Sequence, residues 1–139
     1  MRLFAGGITL CVILAVAMSS AGRGGEEAAA VVAAEGWVKL VDDGRYAESW
    51  KEAAEYFRGL VKQDQWEEAI QEVRMPLGAV ISRRRTATEF TTALPGAPDG
   101  EYVVIQFATS FENKDAAVET ITPMLDKDGQ WRVSGYFIK

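Results

Sequence analysis

The sequence predicts an α+β domain in which about three N-terminal helices pack on one face of a four-stranded antiparallel sheet. Apolar residues recur about every 3.6 residues in the first half and alternate from Val80 onward, which indicates a change from helices to strands. Short stretches rich in Gly, Pro, Asn and Asp divide the second half, as in a meander. Helices followed by consecutive strands are typical of an α+β fold with helices on one side of the sheet.

Three helical segments are predicted in the first half. The first covers residues 28–43, where apolar residues form one stripe. The second covers residues 46–59 and has one aromatic and one charged face. The third covers residues 64–76, and Asp64 and Glu67 have the spacing of a capping box at its start.

Four strands are predicted at about residues 82–93, 101–111, 116–125 and 130–138. A two-residue turn at Asp128-Gly129 and a turn centred on Asn113 and Lys114 would set their register. The predicted core face is Val103, Ile105, Phe107, Phe111, Val118, Met124, Trp131, Val133 and Phe137. The opposite face is mixed and is left for solvent, a ligand or a second subunit; it holds Tyr102, Val104, Gln106, Ala108, Ser110, Glu119, Ile121, Leu125, Arg132, Ser134, Tyr136 and Ile138.

The N-terminus has the pattern of a secretory signal peptide. Arg2 precedes an apolar run of sixteen residues, and small residues follow it, so cleavage is expected after Ala21. The run is shorter than the roughly 20 residues that span a bilayer, and an uncleaved anchor is the alternative. The expected organisation is a signal peptide at 1–21, a flexible tether at 22–27 and one domain at 28–139, in a periplasmic or secreted protein.

Composition excludes several classes of chemistry. The chain has no histidine, and its single cysteine, Cys11, lies in the predicted signal peptide. Histidine and thiol catalysis, zinc sites built on His or Cys, and haem ligation by His are therefore excluded, and no cofactor is expected. A net charge of −5 argues against nucleic acid, whose phosphates would be repelled.

Several joined segments resemble a known family. The stretches "WVKLVDDGRYAESWKEAAEYFR", "PLGAVISRR", "TTALPGAPDGEYVVIQFATSFENK" and "VETITPMLDKDGQWRVSGYFIK" are similar to the bacterial domain-of-unknown-function family 4019. The resemblance covers about residues 28–139, and it implies no activity or cofactor. The order of elements is also similar to the nuclear transport factor 2-like cone fold, which hosts enzymes, carriers and dimerisation modules alike.

Two charged motifs favour structural roles. "DKDG" from Asp126 resembles the start of a calcium loop, but Gly129 falls at position 4 and Phe137 at position 12, so the spacing predicts a hairpin turn and no metal site. The arginine run at residues 83–85 predicts a charged strand edge that discourages aggregation, with binding of an anion or a carboxylate as the alternative.

Aromatic and polar residues on the helices and the mixed face are candidates for a ligand or interface site. These residues are Tyr46, Trp50, Trp66, Tyr102, Glu119, Arg132, Ser134 and Tyr136. They would line the mouth of a cavity, whereas aromatic residues at helical spacing usually form the core. Glu119 and Arg132 are also expected to form a cross-strand ion pair.

The predicted function is an exported, non-enzymatic module that binds a small apolar ligand, a peptide or a protein, with a homodimer through the mixed face as one arrangement. Membrane contact is expected only through an uncleaved signal segment. Two alternatives stay open. One is a small cone-fold enzyme that uses carboxylate and tyrosine acid-base chemistry without metal or histidine. The other is a purely structural partner in an envelope complex.

Overall fold

The computed structural model describes residues 14–139, with side chains described from residue 24 onward. Helices precede a four-stranded antiparallel sheet, which confirms the α+β class. The helices are Leu14–Asp42 (α1), Tyr46–Lys51 (α2), Glu55–Leu60 (α3) and Gln63–Arg74 (α4), followed by a 3-10 turn at Met75–Leu77. The strands are Val80–Thr91 (β1), Tyr102–Phe111 (β2), Lys114–Leu125 (β3) and Trp131–Ile138 (β4).

Helix α1 begins well before the predicted first helix. Residues 22–27, for which the sequence predicts a flexible tether, lie within α1. Of the predicted signal peptide, residues 1–13 lie outside the described residues and residues 14–21 are part of α1. None of the helices described in residues 14–139 is long and apolar enough to cross a membrane.

The predicted second helix is two short helices, α2 and α3. Ala53 and Ala54 lie at the break between them, and both are fully buried. The Ala54 N–H donates a hydrogen bond to the carbonyl of Val133 (2.8 Å), a residue of β4. Because the Ala54 amide bonds to β4, it does not continue the hydrogen-bond pattern of α2, and the helix is interrupted here.

Helix α4 begins at Gln63, one residue before the predicted start. The capping hydrogen bond runs from the Lys62 N–H to the side-chain oxygen of Gln65 (3.2 Å), so the proposed capping box of Asp64 and Glu67 is wrong. Gln65 fills the N3 position of a helix whose cap residue is Lys62.

The sheet is a meander in the order β1-β2-β3-β4, as predicted, but the register between β2 and β3 differs by one residue. Ile105 lies opposite Ile121, whereas the predicted turn places it opposite Thr122. Two features cause the shift: Phe111 pairs with Lys114 across a two-residue loop, and the pairing is irregular between Thr109 and Phe111.

This shift reverses the two faces of β3, because side chains alternate along a strand. Glu119 and Ile121 were predicted on the open face and are fully buried under the helices. Val118 and Phe137 were predicted in the core, and they are 42% and 52% exposed on the uncovered face. The predicted core of the sheet is therefore wrong at these positions and right at Val103, Ile105, Phe107, Phe111 and Val133.

The last hairpin has a three-residue loop, Lys127 to Gly129, where the sequence predicts two residues. The Asp126 N–H donates to the Gln130 carbonyl (2.9 Å) and closes the loop, and Gly129 has φ +83. The pairing of β3 with β4 shifts by one residue between Thr122 and Pro123. On the side of this shift away from the loop, the pairs are the predicted ones, such as Thr120 with Phe137.

The core lies between the helices and one face of the sheet. Trp37 of α1 is its aromatic centre: its ring centroid is 5.9 Å from that of Trp66 and 5.4 Å from that of Tyr136. The Trp37 indole donates to the Ser49 carbonyl (2.8 Å), and Ser49 is itself fully buried. The buried cluster comprises Ala30, Val31, Ala34, Trp37, Val38, Val41, Trp66, Ile70, Val103, Ile105, Phe107, Ile121 and Val133.

Candidate functional site

Charged and hydroxyl side chains meet between the C-terminal ends of α1 and α4 and the helix-covered face of the sheet. We call this group the ionic cluster; it consists of Asp42, Arg74, Arg83, Thr109, Glu119 and Tyr136. It contains two carboxylates and two guanidinium groups, so its formal charges balance. Its members come from α1, α4 and all four strands.

Glu119 is the fully buried acid of the ionic cluster. One oxygen accepts hydrogen bonds from Arg83 Nε (2.7 Å) and Thr109 Oγ1 (2.5 Å). The other accepts from Arg83 Nη2 (3.2 Å) and from the Tyr136 hydroxyl. Both oxygens are therefore occupied by donors of the protein itself.

Asp42 closes the cluster from α1. It accepts hydrogen bonds from Arg74 Nη2 (2.7 Å), Arg83 Nη1 (2.7 Å) and Arg83 Nη2 (3.0 Å). Burial raises the pKa of Asp42, but the hydrogen bonds from Arg83 and Arg74 lower it by more, so the pKa lies below its ordinary value. Burial lowers the pKa of Arg83, and its bonds to Asp42 and Glu119 reverse that effect and raise it. Arg83 thus stays a cation.

Tyr136 and Arg74 complete the cluster. Burial and then the neighbouring charge of Glu119 raise the pKa of Tyr136 well above its ordinary value, so its hydroxyl keeps its proton. Arg74 Nη1 donates to that hydroxyl (3.5 Å), and the Arg74 guanidinium lies over the Phe111 ring, 5.0 Å from its centroid. Arg74 Nε is buried and has no hydrogen-bond partner among the described residues.

The ionic cluster corrects two sequence interpretations. Arg83 was assigned to a charged strand edge; it is 15% exposed and holds Asp42 and Glu119, which agrees with the alternative that the arginines bind a carboxylate. The predicted pair of Glu119 with Arg132 is wrong, because Glu119 lies opposite Ile138 whereas Arg132 lies opposite Met124, near the other end of the hairpin. Arg132 instead pairs with Asp126 (3.1 Å) and Asp128 (2.7 Å).

General acid-base chemistry needs a carboxylate that can take up a proton from a substrate. Glu119 lies beside Tyr136, as an acid-base pair would. Its carboxylate already accepts four hydrogen bonds, and the residue has no exposed surface. Asp42 is held by two guanidinium groups. The geometry of the cluster is that of a structural unit joining helices to strands.

The remaining candidate residues do not line one cavity. Trp50 and Tyr102 donate hydrogen bonds to backbone carbonyls (2.8 and 2.5 Å), and Ser134 does the same (2.7 Å). Trp66 donates to the Ser49 hydroxyl (2.9 Å) and is buried. Among the grooves described in residues 24–139, Arg132 lines one between α1, α2 and β4, and Tyr46 lines a different one beside Arg74.

A groove that the sequence analysis did not identify lies between α3 and the loop that joins β1 to β2. We call it the α3 groove; its volume is about 570 Å³. Its lining is mainly apolar, and Leu60 projects there with 64% of its surface exposed. The lining residues are Glu55, Tyr56, Gly59, Leu60, Pro98, Asp99, Gly100, Met124, Leu125, Asp126 and Lys127.

The loop wall of the α3 groove is fixed to the domain by hydrogen bonds. Tyr102 is almost fully buried, and its hydroxyl donates to the carbonyl of Pro98 (2.5 Å). The Tyr56 hydroxyl of α3 donates to the carbonyl of Gly96 (3.3 Å). The Leu125 N–H donates to the Glu101 carbonyl (3.0 Å). These three hydrogen bonds hold the loop against α3, β2 and β3.

A second groove, of about 410 Å³, lies between α1, α2 and the start of β4. Polar atoms make up more of its lining, including those of Glu48, Glu52 and Arg132. No group of three or more acidic, cysteine or histidine residues suited to a metal ion occurs within the described part of the chain.

The fold defines a class: a small α+β domain in which helices pack against a four-stranded antiparallel sheet, with the ionic cluster between them. A family profile described as "protein of unknown function (DUF4019)" matches residues 33–136. The match covers most of the chain, and the protein belongs to this family. No curated protein matches the chain.

Proposed function

We propose that this protein is an exported, non-enzymatic binding module that holds a small apolar ligand in the α3 groove. The observation that carries the proposal is the groove itself. A volume of about 570 Å³ lies in the range of roughly 300–1,000 Å³ that small-molecule sites occupy. Its apolar lining and its hydrogen-bonded walls are the usual features of a preformed ligand site.

Exposed apolar side chains in the groove supply the driving force. Leu60 lies at the surface while Met124 and Leu125 are half-buried beneath it. Covering such surface yields roughly 25 cal/mol for each Å² removed from water. An apolar ligand therefore gains affinity without any change in the fold.

The ionic cluster supports a binding role over the enzymatic alternative. Its carboxylates are held by arginines, and the least exposed acid of the groove, Asp126, is likewise paired with an arginine, Arg132 (3.1 Å). Of the carboxylates at the groove, Glu55 and Asp99 are exposed to water, whereas the Asp126 side chain is 9% exposed and is paired with Arg132.

Binding is tested with Nile red, a neutral dye whose emission rises and shifts to the blue in apolar surroundings. We expect saturable binding to the wild type and at least fivefold weaker binding to Leu60→Ser. The matched control is Ile81→Ser, which removes a side chain of nearly equal exposure (66%) outside the groove. Equal loss in both variants, or no binding by the wild type, would contradict the proposal.

Export is tested separately, by fractionation of the native host and N-terminal sequencing of the protein recovered. We expect a chain that begins at Gly22, outside the cytoplasm. The first buried side chain described is Ala30, so cleavage after Ala21 removes none of the described core. An intact N-terminus on a protein in the membrane fraction would support the uncleaved anchor instead.

A further inference from the structure

The rim of the α3 groove carries an unbalanced charge. Three carboxylates, Glu55, Asp99 and Asp126, line it against one ammonium group, that of Lys127. Among the described residues, the side chains of Glu55 and Asp99 take part in no ion pair and accept no hydrogen bond. These two carboxylates are therefore available to a ligand.

Asp126 differs from the other two. Its carboxylate accepts hydrogen bonds from Arg132 (3.1 Å) and from the Glu55 N–H (3.3 Å). Its charge is offset in part by Arg132, which also pairs with Asp128, and its contacts fix the start of α3 against the last hairpin. The free negative charge of the rim thus comes from Glu55 on α3 and Asp99 on the facing loop, which lie on opposite walls of the groove.

We infer that the α3 groove selects a small amphiphile with an apolar body and a cationic group. This inference rests on the proposed function and adds the chemical class of the ligand. The apolar body covers Leu60, Met124 and Leu125, and the cation lies between the Glu55 and Asp99 carboxylates. Because the rim is exposed, the cation keeps part of its hydration and loses little free energy on binding.

The same arrangement rejects anionic amphiphiles. A carboxylate or sulfate head would meet two unpaired carboxylates, in a protein whose net charge is already −5. Exposed pairs contribute little each, so two of them give a preference on the order of fivefold between a cation and a neutral head, which salt reduces.

The test uses three compounds with the same alkyl chain: octylammonium, octanol and octanoate, each displacing Nile red at pH 7 and low salt. We expect octylammonium to bind about fivefold more tightly than octanol, and octanoate to bind most weakly. In the Glu55→Gln/Asp99→Asn variant the affinities of the three compounds should converge.

The matched control is Glu68→Gln/Glu72→Gln, which removes the same charge from exposed positions on α4 away from the groove. It should keep the order of the affinities of the three compounds.

If the three compounds bind the wild type equally, the inference is overturned and the proposed function stands. If none binds, the proposed function fails. A charge preference that persists in Glu55→Gln/Asp99→Asn, or that is lost in the control, places the cation elsewhere and overturns the assignment to this rim. Binding of cationic apolar peptides in place of octylammonium overturns the small-molecule class.

Discussion

At the scale of single residues, Glu119 is a carboxylate that is fully buried in the core region. A buried carboxylate is costly unless donors surround it, and Arg83, Thr109 and Tyr136 do so here. Removing Glu119 leaves the buried Thr109 hydroxyl without its acceptor and leaves the Arg83 cation with Asp42 alone. The residue thus stabilises the fold mainly by satisfying its neighbours.

Glu119→Ala should lower the free energy of unfolding by about 3 kcal/mol, because the Thr109 and Tyr136 hydroxyls lose their acceptor and Arg83 keeps only Asp42. Urea denaturation followed by tryptophan fluorescence measures the change. Glu72→Ala, at an exposed position on α4, should change it by less than about 0.5 kcal/mol. A loss below about 1 kcal/mol for Glu119→Ala would mean that the ionic cluster is dispensable.

Asp42 predicts how stability depends on pH. Its pKa is depressed in the folded protein, so the folded state binds its proton less readily than the unfolded state does. The stabilisation is complete above the unfolded pKa of about 3.9 and is lost as the pH falls through the lower folded value. Asp42→Asn should therefore be less stable than the wild type at pH 7, with a difference that narrows below about pH 4.

This pH dependence is measured by urea denaturation at several pH values. Asp128→Asn serves as the comparison, because Arg132 also depresses the pKa of Asp128, to about 2, on the open surface. Salt should screen the Asp128 effect and leave most of the Asp42 effect in place. A gap between Asp42→Asn and the wild type that stays constant from pH 7 to pH 2 would contradict the assignment.

At the scale of elements, β1 is a long strand at an open edge of the sheet. Its outer side has no neighbouring strand, and Arg84 and Arg85 are exposed there without an ion pair among the described residues. The pairing with β2 is irregular between Arg85 and Ala87. Charges and irregular pairing both discourage an edge from joining another sheet.

Arg84→Thr/Arg85→Thr should increase self-association, because it exchanges two charges for residues that favour strands. Light scattering across a concentration series measures the effect. Arg45→Thr/Arg58→Thr, with the same change of charge away from the strand, controls for net charge. Equal behaviour of the two double variants would assign the effect to charge alone.

Two glycines with positive φ differ in their surroundings. Gly129 has φ +83, and a Cβ there would meet nothing within 4 Å. Gly78 has φ +75, and its Cβ would lie 3.0 Å from Glu112 Cβ. Gly129→Ala should cost about 1 kcal/mol of unfolding free energy, and Gly78→Ala should cost more because of the added contact. Thermal unfolding of the pair measures this; equal costs would show that Glu112 moves aside freely.

Much of the element order follows from sequence periodicity, whereas the register does not. The change from helix to strand near Val80 is predicted because the apolar spacing itself changes there. Register depends on loops and irregular pairings that shift it by one residue, and one residue exchanges the two faces of a strand. Glu119 alternates with the apolar residues Ala117 and Ile121. This pattern is the sequence signal from which its burial, and hence its need for a partner, could have been predicted.

The α3 groove was not predicted for a different reason. Its walls come from α3, the loop between β1 and β2, and the last hairpin, which are distant in sequence. No periodic pattern marks such a surface. Most of the aromatic residues predicted as ligand contacts pack in or against the core, because large apolar rings gain most free energy from burial.

At the scale of the whole molecule, helix residues pack against Val103, Ile105 and Ile121 of the sheet, while Val118 and Phe137 are exposed. Residues 22–139 contain every core side chain described. A protein of these residues alone should therefore unfold within a few degrees of the full chain, as measured by circular dichroism in detergent-free buffer. Loss of cooperative unfolding would show that the first 21 residues belong to the folded domain.

The ionic cluster also bears on how long a folded molecule lasts. Its main bonds join residues that are distant in the chain: Asp42 to Arg74 spans 32 positions, Arg83 to Glu119 spans 36, and Arg74 to Tyr136 spans 62. We expect such contacts to form late in folding, because closing long loops costs entropy before the contacts are made. Interactions absent from the folding transition state act on the unfolding rate. The cluster should therefore lengthen the lifetime of the native state more than it speeds folding, and slow opening is what protects a protein exposed to proteases.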